Sequence, residues 1–184
     1  MNRLLCVALI SLILSIMVST ASYGQKSYAL GIGGGAAIPV GKLSDVQKTG
    51  YNAMAVLAVG SADLPIGVRF DGIYNNLRRT NSVSGSTATT SDLRVIAALV
   101  NLVYAFPGTS AKTYLLAGGG LYNSKPDVSG AKSQNNVGFN AGLGATFGFG
   151  PVAAFIESRY HSISRSAAKG GVFQFVPITV GFMF

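Results

Sequence analysis

Eight short apolar segments, joined by connections that alternate between long and short, constrain this chain more than any motif in it. The segments run from about Tyr28 to Ile38, Tyr51 to Val59, Ile66 to Asn76, Leu93 to Phe106, Thr113 to Tyr122, Val137 to Phe147, Val152 to His161 and Val172 to Phe184. They are long for globular strands and close to the ~9 to 11 residues that a tilted membrane strand requires. The connections 39–50, 77–92, 123–136 and 162–171 are long, whereas 60–65, 107–112 and 148–151 are short. A closed antiparallel membrane barrel, with tight turns at one rim and loops at the other, produces this rhythm, and an even strand number returns both termini to the turn side. A soluble sandwich or lipocalin-like barrel predicts no such ordering.

Alternation within the segments says which face meets which solvent. In the last one Val176, Ile178, Val180, Phe182 and Phe184 form one apolar file, opposite Pro177, Thr179, Gly181 and Met183. In the third, Val68, Phe70, Gly72 and Tyr74 oppose Gly67, Arg69, Asp71 and Ile73, and in the sixth Phe139, Ala141, Leu143, Ala145 and Phe147 oppose Gly138, Asn140, Gly142, Gly144 and Thr146. Apolar residues outward and small or polar residues inward is the reverse of a soluble barrel. The second and fifth segments are apolar on both faces, which leaves their register unassigned. An eight-stranded interior is just wide enough to be filled by side chains, so the expectation is an all-β, eight-stranded up-and-down transmembrane barrel that is plugged and not a pore.

Composition is consistent with export. The first 24 residues have Arg3 in a basic leader, an apolar stretch from about Leu4 to Val18, then Ser19-Thr20-Ala21-Ser22-Tyr23-Gly24. That order reads as a secretory signal peptide, with cleavage after Gly24 preferred over Ala21 and residues 25–184 forming the barrel domain. Cys6 lies at the start of the apolar stretch, the wrong place for a lipoprotein. The mature chain then has no cysteine, His161 is its only histidine, and no disulfide or thiolate metal site is expected. The 14 basic residues less Arg3 leave 13 against 6 acidic, a net charge of +7. In an exported chain that balance points to an anionic membrane surface and not to nucleic acid.

Few residues could carry chemistry. Asp71 and Glu157 are the two acidic residues inside segments and on the inward face, accompanied by Arg69 and Arg159. Isolated charges there would be costly, so the four are expected to form an ion network across the interior, acting first as structural glue, the alternative being a proton or ion relay or a gate. His161 with Ser162 and Ser164 could be read as an acyl-transfer site, but no motif fixes their geometry, and no catalytic residue, metal site or cofactor is assigned. The glycine-rich stretch 31–36 and Ala36 to Leu43 look like nucleotide-binding motifs only superficially. The first runs into Ile38-Pro39, and the second lacks the leading Gly and the hydroxyl after Lys42. Lys42, Lys48, Arg78, Arg79, Lys125, Lys132, Arg165 and Lys169 lie in the long connections, with Arg94 near a strand end, against Asp45, Asp92 and Asp127. This basic rim fits either lipopolysaccharide phosphates or a merely solvated surface.

By these features the chain resembles the outer-membrane β-barrel domain family, the small eight-stranded barrels of the OmpA and OmpX kind. The resemblance is carried by the signal sequence, the strand Pro151 to His161, the strand end Asn101 to Pro107 and the final Val180-Gly181-Phe182-Met183-Phe184. It implies residence in a bacterial outer membrane, contact with its lipid and lipopolysaccharide, and a monomeric barrel. It also implies that Phe182 and Phe184 belong to a terminal signal read by the barrel-assembly machinery. No peptidoglycan-binding domain accompanies the barrel, so wall anchoring is not implied. A structural or surface-interaction role through the loops is the leading expectation, with a narrow channel or a lipid-modifying enzyme as alternatives.

Overall fold

Period-two alternation lets each segment pair on both edges, and in the computed structural model the eight strands close into one antiparallel barrel in chain order, β8 returning to β1. The structure describes residues 26–61, 64–79, 91–108, 111–165 and 171–184; the expected signal peptide lies outside them. The strands are β1 Lys26–Val40, β2 Gln47–Ser61, β3 Ile66–Arg79, β4 Leu93–Ala105, β5 Ala111–Pro126, β6 Gln134–Phe149, β7 Val152–Ile163 and β8 Phe173–Met183, with one 3-10 turn at Gly41–Leu43. Several extend further at the loop rim than their apolar patterns indicate. β5 continues through Asn123, Ser124 and Lys125, and β6 starts at Gln134. Above the apolar zone backbone pairing persists while side chains turn polar, so hydrophobicity no longer reports it. The rhythm remains: β6 and β7 are joined by Gly150 and Pro151 alone, whereas 127–133 separates β5 from β6.

Register fixes the barrel's geometry. Following register partners from Ile66 through Tyr104, Leu115, Leu143, Ser158, Ile178, Ala36 and Tyr51 leads back to β3 at Asn76. One circuit therefore advances 76 − 66 = 10 residues. With ~3.3 Å per residue and ~4.8 Å between strands, a stagger of ten over eight strands corresponds to a tilt of about 40°. The even stagger keeps inward positions inward all the way round.

Register also settles the two ambiguous strands. Val56 pairs with Asp71 and Met54 with Ile73, so β2 points Asn52, Met54 and Val56 inward. Tyr114 pairs with Gly144 and Leu116 with Gly142, so β5 points Tyr114, Leu116 and Tyr122 inward. The outer wall is apolar: Ile32, Leu57, Phe70, Val100, Leu102, Leu115, Leu121, Phe139, Leu143, Val180 and Phe182 are all exposed. Two aromatic rows bound it. Tyr28, Tyr104, Phe106, Phe147, Phe149 and Phe184 lie toward the turn rim, and Tyr51, Tyr74, Phe139 and Tyr160 toward the loop rim. Such girdles sit where hydrocarbon gives way to headgroups. At the loop rim the interior is closed by an apolar plug of Leu43, Leu77, Leu93, Val95, Ile163 and Phe175.

Candidate functional site

Arg69 and Asp71 are two residues apart on β3, and Glu157 and Arg159 two apart on β7, so each pair shares the inward face of its strand. Inside the barrel they meet as a closed ring of alternating charge between the two aromatic rows. Arg69 Nε lies 2.7 Å from Asp71 Oδ1 and its Nη1 lies 2.7 Å from Glu157 Oε2. Arg159 Nη1 lies 2.9 Å from Asp71 Oδ2, and Arg159 Nε donates to Glu157 Oε1. All four are almost completely buried, and the ring's net charge is zero.

Further donors complete the carboxylates. Asn101 Nδ2 donates to Asp71 Oδ2 at 2.6 Å, and the Tyr114 hydroxyl donates to Glu157 Oε2 at 2.7 Å. Met54 Sδ lies 3.5 Å from Arg159 Nη2 and 3.7 Å from Arg69 Nη2. Every carboxylate oxygen therefore receives at least one donor, the condition for tolerating buried ions. Tyr114, Asn101 and Met54 carry no sequence pattern that marks them as part of the ring. The signal that could have found Tyr114 and placed Arg159 is glycine: Gly144 faces Tyr114 across the β5–β6 pair, and Gly142 faces Arg159 across β6–β7. A side chain at Gly144 would run into the Tyr114 ring.

Between ring and plug lies a polar layer. His161 is fully buried, with Nδ1 2.9 Å from the Tyr122 hydroxyl and its ring stacked on Phe175 at 4.8 Å between centroids. Asn52 Nδ2 donates to Thr179 Oγ1 at 3.0 Å. No hydrogen bond among the described residues joins His161 to a serine.

The rim residues do not gather into one cluster. Lys48, Arg78 and Arg79, with Asp92, Ser44, Gln47 and Thr49, line an open cleft of about 810 Å³. Asp92 Oδ1 accepts the Arg79 backbone N–H at 2.9 Å. Lys42 sits on the 3-10 turn, Lys125 near the end of β5 and Lys132 in the connection after it. Arg165 lies 3.9 Å above the Phe173 ring and donates to Gln134 Oε1 at 3.1 Å; partial burial lowers its pKa. Lys169 falls outside the described residues. At the opposite rim Phe182 and Phe184 face outward, and the Phe184 backbone exchanges two 2.8 Å hydrogen bonds with Leu30, the last link closing β8 onto β1.

No protein-family model and no curated protein matches the chain. Solved structures do match it in fold. Neisserial surface protein A superposes with a TM-score of 0.65 at 18% identity, covering 86% of this chain and 97% of that one. The outer membrane protein Ail of Yersinia pestis, in a phospholipid bilayer nanodisc, gives 0.52 at 16% identity over 86% of this chain and 100% of its own. The N-terminal β-barrel domain of Pseudomonas aeruginosa OprF gives 0.51 at 14% identity over 87% and 100%. The fold is that of the small eight-stranded outer-membrane β-barrels.

Proposed function

We propose that this chain is a monomeric bacterial outer-membrane barrel with a structural or surface-interaction role, non-enzymatic, exerted through its loop rim. One observation carries the reading: the interior is occupied by a neutral, hydrogen-bonded ion ring beneath an apolar plug, while the wall around it is apolar and bounded by aromatic rows. A filled interior supports no transport path, and loops on a rigid scaffold are where function usually sits, so the rim is where other molecules can be met. The basic residues there favour contact with lipopolysaccharide phosphates. Phe184, at the closing seam, would be read by the barrel-assembly machinery. The signal peptide predicts a mature chain beginning at Gln25, which N-terminal sequencing checks.

Cell fractionation with heat-modifiable gel mobility tests the assignment. Recovery in the outer-membrane fraction, with a faster-migrating unboiled band, is expected; recovery only in the soluble periplasmic fraction would overturn it. A narrow channel would appear as conductance across a planar bilayer, and a lipid-modifying activity as an altered lipid A mass spectrum.

A further inference from the structure

Among the described strand residues, the outward-facing cations of the loop rim occupy one side of the barrel. A β-bulge between Lys48 and Tyr51 shifts the register of β2 by one residue. That shift places Lys48 opposite Arg78, on the outer face that Tyr74 and Asn76 share, and leaves Gln47 buried. On the next two strands Arg94 and Lys125, on the outward files of β4 and β5, are also direct register partners. Four consecutive strands, β2 to β5, thus carry Lys48, Arg78, Arg94 and Lys125 on their outer faces. Comparable positions on the outward files of β6, β7, β8 and β1 hold Asn135, Ser162, which is itself buried, Gln174 and Ile38, all uncharged.

This arrangement opposes folding unless something answers it. Like charges directly across an antiparallel pair are destabilising, and here two such pairs stand side by side. The nearest acidic groups are Asp92, which accepts the Arg79 N–H, and Asp127; among the described residues no salt bridge engages the four cations. Directly below, toward the apolar wall, Tyr51 and Tyr74 stack with ring centroids 6.1 Å apart. Below these the wall is low, with Ala53, Ala55, Gly72 and Ala98 facing out and open space above Gly72.

We propose that the outer face of β2–β5 is a seat for a diphosphorylated glycolipid of the outer leaflet. The pairs Lys48/Arg78 and Arg94/Lys125 are two strand spacings apart, ~10 Å, and each takes one phosphate. Tyr51 and Tyr74 pack beneath the sugars at the interface, and acyl chains descend over Ala53, Ala55, Gly72 and Ala98. The inference rests on the outer-membrane reading and narrows it from a basic rim to four residues.

The test uses the full mature chain refolded in phosphatidylcholine vesicles and titrated with diphosphoryl lipid A. The variant K48Q/R78Q/R94Q/K125Q is expected to lose affinity about tenfold or more, while K42Q/K132Q, on the same rim, changes it less than about twofold. Without lipid A the fourfold variant should unfold at the same temperature as the parent or higher, since the like-charge pairs are gone; this also shows that it folds. Equal loss in both variants, equal binding of dephosphorylated lipid A, or displacement by inorganic phosphate at matching concentration would each overturn the seat. A parent chain that never inserts into vesicles would overturn the outer-membrane reading itself.

Discussion

Glu157→Ala is the sharpest probe of the ion ring. The substitution removes the acceptor of Tyr114, two contacts to Arg69 at 2.7 and 3.1 Å and the one from Arg159 Nε. Two guanidinium groups are then left facing one carboxylate inside the barrel, where water cannot screen them. Breaking a buried pair by deleting one partner costs about 3–5 kcal/mol, and the loss here should fall in that range. The charge-balanced double variant Arg69→Met/Glu157→Leu keeps the Arg159–Asp71 bridge, 2.9 Å in the parent, and a net charge of zero. It should cost about 1–3 kcal/mol less than the sum of its two single substitutions, because the four residues act as a unit. The chain has no tryptophan, so urea unfolding in vesicles is followed by gel mobility and circular dichroism. A Glu157→Ala barrel within about 0.5 kcal/mol of the parent, or strict additivity in the double variant, would refute the coupled ring. Planar-bilayer recordings should show no conductance from Glu157→Ala; an open channel would refute the filled interior.

Other perturbations separate the faces and ends of the barrel. Gly144→Val should destabilise by about 1–3 kcal/mol by driving Tyr114 off Glu157, whereas Gly72→Val, with open space on the outer wall, should stay within about 0.5 kcal/mol in the same urea titration. Deleting Phe184 removes two backbone bonds at the β1–β8 seam, and pulse-labelled cells should show a larger drop in folded yield than in the unfolding midpoint of barrels that do fold. His161→Leu leaves the Tyr122 hydroxyl buried without its partner, costing about 1–3 kcal/mol, and the lipid A mass spectrum should not change.

Legibility from sequence follows the contrast between the two faces of each strand. In β3, β6, β7 and β8 that contrast is strong, so alternation alone puts Arg69, Asp71, Glu157 and Arg159 on inward positions. In β2 and β5 both faces are apolar, because an inward Met54 or Leu116 looks like an outward Leu57 or Leu115. Only pairing with a neighbour whose face is known decides between them. Tyr114 is hidden for that reason. The outward turn of Lys48 is illegible for another: it depends on a single extra residue at a bulge, which no periodicity carries. Strand ends at the loop rim read short in the sequence because Asn123, Ser124 and Asn136 extend the ladder with polar side chains on both faces, so no apolar alternation marks them.

The ring's sequence spacing has a consequence for how the barrel enters its membrane. Each of the two strands that supply the ring carries its own counter-ion two residues away, Asp71 for Arg69 and Arg159 for Glu157, and each of these local pairs is bonded within its strand. Neither β3 nor β7 therefore has to bring an unpaired inward-facing charge to the depth of the ring before the other arrives, a step whose cost rises steeply with unbalanced charge. Ring closure then adds the contacts across the barrel to pairs that are already neutral. The electrical work of burying the ring charges is thereby uncoupled from the order in which β3 and β7 assemble.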